Sequence, residues 1–517
     1  MKKVRKSIYI NILIYLYLVL PTLIFVVTWL KWYWALVFGM VVAYGCVKGF
    51  SNSIEENCFS LEKMDGKILI KVLLIITFWV YLSGIGGWCY QNSDHEVRNA
   101  IFRALVQYDW PVFSYDGSRS LIYYIGFWLP AACVGKVLGL EAGYAAQMVW
   151  AIVGIFIVYY LICVYRKKVD MLPIIFLVLF SGLDYVGTWI LGGEGVDLKL
   201  AAHLEWWAYD MQFTSTTSQL FWVFNQAIPA WISTMLIMTQ KNCKNMLFIL
   251  SLTMLTSTIP FVGLIPIAIY LYIKCVKSDR SLWKEIFTFQ NVTGVVLIGG
   301  CIFLYLIGNI SSGAVGRDNA DLVVREPAAQ CLRYLLFYFL EFGIYLYFIC
   351  KYRKRDSLIY LIMIILVICP FIMVGYNHDF CMRASVPALF ILMLMCIETL
   401  EKIQLDGKKL LLGAYCMVLL LGAITPFNEI HRSIKETFVR AANGESVRCQ
   451  EVNIENWLLY AGNFSGEVSG NLFYKYFAKE GITHLKVGQN CLEDLDTGFK
   501  YLAIGNSITK HDYAEYW

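Results

Sequence analysis

Apolar runs close to twenty residues long recur from one end of this chain to the other, beginning with Ile8–Trp29. A bilayer hydrocarbon core about 30 Å thick takes about 20 helical residues to cross. Inside it every backbone N–H and C=O must find a partner within the protein, which restricts spanning segments to helices or closed barrels. The runs have no polar/apolar alternation, so helices follow. Of the 517 residues, 59% are hydrophobic and 16% charged, and the mean hydropathy is +0.59. That balance excludes a soluble globular domain and makes the chain an all-α integral membrane protein. The 16 cysteines include no CxxC and the six histidines no HxxxH. Neither a disulfide framework nor a zinc pattern is present. The net charge of +5 is small, and nothing in it points to a nucleic-acid partner.

Lys and Arg in short loops orient membrane helices. "MKKVRK" is expected in the cytoplasm, ahead of an uncleaved first span. About thirteen spans follow the length rule: 8–29, 34–47, 68–88, 144–165, 172–191, 220–239, 246–257, 261–273, 292–307, 334–350, 358–374, 384–397 and 410–425. The pair over 246–273 is short and broken at Pro260, so it reads either as two crossings or as one re-entrant pair. The run Leu121–Leu140 contains Pro130 and Lys136. If it crossed, Arg166–Lys168 would fall outside, so it is expected to lie along the outer surface. The basic clusters 274–284, 351–355 and 401–409 then all face the cytoplasm. This places the N-terminus inside and the C-terminus outside a plasma membrane, with a spanning domain over 1–425 and an extracytoplasmic tail over 426–517. The tail is expected to be small and mixed α/β.

The outer side gathers the unusual residues. Its first loop, 89–142, opens with "SDHEVRN". Ser93 and Glu96 fit a capping box, and Val97, Ala100, Ile101, Ala104 and Leu105 fall on one helical face. An amphipathic surface helix ending near Trp110-Pro111 is expected. A cap explains Ser93 and Glu96 but not Asp94, His95 and Arg98. A carboxylate at the water boundary beside an arginine can act as a general base.

The order of span, acidic loop opening, surface helix and "LIYYIGFWLPAACVGKVLGL" resembles the multi-spanning GT-C glycosyltransferases of the protein O-mannosyltransferase and aminoarabinose-transferase-like group. Leu121, Tyr123, Tyr124, Leu138 and Gly139 match, whereas Ser120 stands where that family usually has proline. The resemblance covers roughly 86–154; beyond that only the topology is similar. It implies transfer of a sugar from a polyprenyl-phosphate donor to an envelope glycan or lipid acceptor on the outer face. The family's first-loop acid maps onto Asp94, with Glu96 second. Arg98, Arg103 and Arg383 become candidates for the leaving phosphate, with a divalent cation as a possible helper.

Three further groups lie on the same side. Asp184 sits inside an apolar run, where an acid is costly and usually functional. "HLEWWAYDMQ" sets His203, Glu205 and Trp206 together, a composition suited to sugar binding, and Gln226 enters the following span. The turn "GYNHDFCMR" crowds His378, Asp379 and Arg383. Glu341 in "FLEFG" is a further intramembrane acid without an assigned role. "YLAIGNSIT" near the C-terminus resembles the first block of SGNH esterases, presenting Ser507 with Asn506 in the aspartate place. Only eight residues follow Thr509, too few for the rest of such a site. Cys449 and Cys491 both fall outside and are able to pair. The alternatives to a transferase are a polysaccharide flippase or exporter, or a repeat-unit polymerase. An exporter favours internal repeats and polar groups at broken helices; the chain shows no clear repeat.

Overall fold

The computed structural model describes residues 2–480 apart from 57, 60, 62–64, 115–116, 192–202, 209–210, 311–326, 373–378 and 452–463. Ser507, Asn506 and Cys491 lie outside the described residues, as does His378. Helices α1 (Lys2–Trp29), α2 (Trp32–Glu55) and α3 (Gly66–Leu82) come first. The first outer loop holds α4 (Asp94–Gln107) and α5 (Leu129–Leu138), followed by α6 (Leu140–Arg166). Next come α7 (Leu172–Leu179), α8 (Asp184–Leu191), α9 (Thr216–Thr239), α10 (Met246–Thr256) and α11 (Thr258–Ser278). The second half contains α12 (Phe289–Thr293), α13 (Gly300–Ile310), α14 (Pro327–Tyr338), α15 (Ile344–Tyr352) and α16 (Ser357–Ile368). It closes with α17 (Asp379–Ala384), α18 (Val386–Leu405), α19 (Lys409–Gly422), α20 (Ile424–Ala442) and α21 (Leu472–Tyr476).

Among the described residues, nine helical segments are long and apolar enough to cross a membrane, and three shorter apolar helices accompany them. The chain is an all-α membrane protein. α9 is its hub: 89% of its apolar window is buried, and its buried residues include the polar Gln219, Asn225, Gln226, Ser233 and Thr234. Trp231 of α9 stacks on Trp79 and on Phe390. Lipid tails give helices little hydrophobic reason to associate, so close packing holds them together. Gly154 of α6 shows this, because a Cβ there would run into Tyr17 and Ile228 of its neighbours. At the other extreme, Leu410, Met417 and Leu420 on α19 are exposed and available to lipid.

Several helix ends are readable locally. Asp65 and Asp356 accept the backbone N–H groups of Lys67 and Leu358, and Lys167 closes α6 at φ 57°. At the ends bearing basic clusters, Arg166 pairs with Asp170 and Glu401, and Arg353 with Glu398 and Asp356. These pairs tie the ends of α6 and α15 to α18.

Two expectations shift. The break in 246–273 falls at Ser257 (φ −137°, ψ 60°), not at Pro260. Pro260 sits in the first turn of α11, where a missing N–H costs nothing. The capping box does not form: Ser93 has helical backbone angles and its side chain makes no capping bond.

The run 121–140 is not one helix. It begins in strand β1 (Arg119–Leu121), tightens into a 3-10 turn at Ile125–Trp128, and ends in α5. Ten helical residues extend only about 15 Å, half a hydrocarbon core. Strand β2 (Ser465–Glu467) from the tail pairs antiparallel with β1, matching Arg119 to Glu467 and Leu121 to Ser465. The tail is thereby bound to the first loop.

Candidate functional site

α4, expected as a one-sided surface helix, is in fact enclosed on both sides: His95, Arg98, Asn99 and Phe102 are buried on one and Ala100, Ile101, Ala104 and Leu105 on the other. Three- and four-residue steps share a face, so Arg98 also reaches back to Asp94 at 2.5 Å. Arg98 is 7% exposed and Asp94 39%. The guanidinium lies inside and the carboxylate at the rim. The short helix α17 repeats the device: Arg383 meets Asp379, four residues earlier, at 2.9 Å.

The two pairs face one another. Asp94 and Arg98 both act electrostatically on Asp379, and Asp94 acts on Arg383. Tyr124 accepts a hydrogen bond from Arg383, and Tyr123 donates one to Tyr124. The tyrosines are held from two directions. The Tyr305 hydroxyl of α13 donates to the Leu121 carbonyl at 3.1 Å and accepts from the Tyr123 N–H at 3.1 Å. From the tail, the Phe464 carbonyl accepts the Ile122 N–H at 3.0 Å. Burial pushes the Asp379 carboxyl above its ordinary range, with Arg383 opposing. Burial works against the Arg383 charge as well, but Asp379 and the tyrosines outweigh it.

Two donors at this site are buried without a partner among the described residues: Arg98 Nη1 and Arg383 Nε. Arg98 also lies 5.7 Å from the Phe224 ring centroid, and His95 stacks on that ring at 5.5 Å. His95 is neutral: burial first, then Arg98, lowers its pKa to about 3. It is a packed wall beneath Arg98 rather than a cation for phosphate. Glu96 leaves the cluster. Burial raises its pKa, and the charge that acts on it most strongly is Arg440 of α20, ahead of Asp94. Arg103 turns away entirely, pairing with Glu451 of the tail, which also accepts from Tyr144. Gln226 is buried in α9, where its carbonyl accepts from Ser257 at 2.6 Å and its side-chain amide meets no partner among the described residues.

A second cluster adjoins the first. His203 Nδ1 contacts Glu429 at 2.9 Å, and its Nε2 lies 3.7 Å from Glu205. Glu205 accepts from Gln212 at 2.8 Å and from the Ser215 N–H at 3.0 Å. Glu429 also pairs with Arg432 and accepts from Trp222 at 3.0 Å. Trp206 packs edge-on to His203 at 4.6 Å. For His203 burial opposes protonation, but Glu429 reverses the outcome and the pKa is raised. Burial lifts Glu205 to about 7 against the pull of His203. Asp184 lies beyond Glu205, accepting from Ser181 at 2.8 Å. Cys381, between Asp379 and Arg383 in sequence, donates to the Gln212 carbonyl at 3.4 Å and links the clusters.

The residues singled out in the sequence thus divide. Asp94, Arg98, Asp379 and Arg383 converge; His203, Glu205, Trp206 and Asp184 form the neighbouring group; Glu96, Arg103 and Gln226 belong to neither. The sequence reading named Tyr124 without a role in the site, and missed Glu429 and Arg432. The last two stand three apart in the polar stretch after Pro426, a spacing that sets them on one helical face. Among the described residues, no group of three His, Cys, Asp or Glu side chains is gathered for a metal. A groove of about 530 Å³ lies elsewhere, lined by Met246, Leu250, Phe261 and Phe303, and is apolar. No protein-family model, curated protein or solved structure matches the chain.

Proposed function

We propose that the chain is a membrane glycosyltransferase of the GT-C kind that takes a sugar from a polyprenyl-phosphate donor at the outer face. The observation that supports it is the convergence of two Asp–Arg pairs whose guanidinium groups each keep a buried N–H without a partner among the described residues, beside a carboxylate at the rim. Guanidinium is the side chain suited to phosphate oxygens. In this reading Arg98 and Arg383 hold the phosphate. Asp94 takes the proton of the acceptor hydroxyl as its oxygen bonds to the anomeric carbon. The bond from that carbon to the phosphate oxygen breaks, and its electron pair leaves with the phosphate, where the two arginines stabilise it. The acceptor is an envelope glycan or lipid. The thirteen-span topology, with the N-terminus inside and the C-terminus outside the plasma membrane, belongs to the same proposal.

The test is purified protein in lipid incubated with a panel of polyprenyl-phosphate sugars, following release of the carrier. Release that depends on Asp94 supports the reading, and no release from any donor in the panel rejects it. Repeating the assay with a chelator decides whether a divalent cation takes part. A flippase or exporter is the second reading. It is favoured by one observation: α7 and α8 are two halves of a membrane-length run, broken at 180–183 beside buried acids. Broken helices of that kind line transport sites.

A further inference from the structure

The break between α7 and α8 is held by protein groups at three backbone positions. The Phe180 carbonyl accepts from the Thr216 N–H and hydroxyl, each at 3.1 Å. The Ser181 carbonyl accepts from Tyr345 at 2.7 Å. The Leu183 N–H donates to the Leu340 carbonyl at 3.1 Å. That last bond joins the break to a second irregularity, a π-helical turn over Phe339–Gly343 with Glu341 at its centre. Such turns are frequent at functional sites. Two helix defects therefore meet, and each carries a buried acid: Asp184 is 1% and Glu341 2% exposed.

Each carboxyl has one ordinary donor, Ser181 for Asp184 Oδ2 at 2.8 Å and Trp207 for Glu341 Oε1 at 3.1 Å. The other oxygens, Asp184 Oδ1 and Glu341 Oε2, meet no N–H or O–H donor among the described residues. The two acids are brought together by the bond between Leu183 and Leu340, the residues just before each of them. An ionised carboxylate only accepts, so a hydrogen bond between two such neighbours requires a proton on one of them. The charged neighbours of Glu341 are Asp184 and Glu205, both acids. The nearest cations stand one step further out: His203 between Glu205 and Glu429, and Arg432 on Glu429. Two cations balance two of these four carboxyls and leave the Asp184–Glu341 pair without compensation. Gly182 makes the approach feasible, since a Cβ there would run into Glu341 Oε2.

We propose that Asp184 and Glu341 form a proton-binding site inside the membrane-spanning bundle, whose shared proton latches the break between α7 and α8 to the π-turn before α15. Binding makes one O–H bond at the pair and breaks one at the donor acid; nothing is oxidised or reduced. When the proton leaves, two carboxylates face each other in a medium that screens them poorly, and the latch opens. Glu205, lifted to about 7 by burial, and His203 connect the pair to Arg432 at the end of the cluster. Tyr345, Ser181 and Trp207 complete its surroundings. The site is independent of whether the chain transfers sugars or carries them.

Infrared spectroscopy of the full chain in lipid nanodiscs reads this directly, through the C=O stretch of protonated carboxylic acids. At neutral pH a protonated-carboxyl band that shifts in D2O is expected, and the isosteric double variant D184N/E341Q should remove it. Glu205→Gln should move the pH at which the band titrates. No such band in the wild type at neutral pH overturns the proposal, without recourse to any variant. A band that persists unchanged in the double variant also overturns it. An unmoved midpoint in Glu205→Gln overturns the connection through Glu205.

Discussion

Asp94 and Arg98 show how one helical step sets up a reactive group. Four residues apart, they share a face of α4, with the cation buried and the carboxylate at the rim. Asp94→Asn keeps the shape and removes the base. Sugar transfer should then fall about 10²–10⁴-fold, the usual contribution of a general base, while expression and thermal stability change little; near-normal turnover would dismiss Asp94 from that role. Arg383→Ala should raise the apparent KM for a polyprenyl-phosphate donor about ten- to a hundredfold, as expected for a lost charge-assisted hydrogen bond. Arg383→Lys should recover part of it, and donor affinity unchanged in the alanine variant would reject the phosphate contact. His95 makes a different prediction. It is neutral in the fold, with a pKa of about 3 against 6.5 free, so the unfolded chain binds its proton first. Stability is present above the free value and should decline as pH falls below about 6.5, by up to roughly 1.4 kcal/mol per unit. His95→Gln should flatten that slope in thermal melts; an identical slope in both proteins would contradict it.

At the scale of elements, the clamp on the first loop matters most. Tyr123 and Tyr124 have no helix of their own. They are placed by Tyr305 from α13 and by pairing of β1 with the tail strand β2. Tyr305→Phe keeps the ring and removes the bonds to Leu121 and Tyr123. Transfer should drop several-fold through a weaker donor KM, with bundle stability nearly unaffected. A change confined to thermal stability would instead make the clamp purely structural. The helices themselves were largely legible in the sequence, because lipid imposes length and apolarity on each one separately. Their interruptions were less so. The break at Ser257 and the break before Asp184 are set by partners from distant elements, such as Thr216 on the Phe180 carbonyl. A local reading favoured Pro260 for the first because it weighs proline without knowing that the residue occupies a first turn.

For the whole molecule, the orientation rests on the reading of 121–140. The structure divides that run into a strand, a 3-10 turn and the ten-residue α5. If α5 lies outside the spanning bundle, a cysteine near its exposed end, Lys136→Cys, should react with a membrane-impermeant maleimide from the outer side of intact cells. Protection there, with reaction only after permeabilisation, would overturn this topology and invert every later loop, that of Asp379 and Arg383 included.

The sequence alone determined the solvent in which this protein folds. Its apolar runs and sparse charge demand a helical membrane bundle, since each span must satisfy its own backbone. It also marked Asp94, His95 and Arg98 as surplus to capping, and singled out Asp379 and Arg383 in a crowded turn. Only the tertiary structure decided which of the marked residues meet. Glu96 and Arg103 stand close to Asp94 in sequence but are directed to Arg440 and Glu451 by the phase of α4. Asp379 and Arg383, almost three hundred residues away, converge on Asp94 instead. Likewise the isolated acids Asp184 and Glu341 became a pair only because two helix defects pack together. Helical phase and packing between distant spans are collective properties, and a one-dimensional pattern specifies each helix without specifying its neighbour.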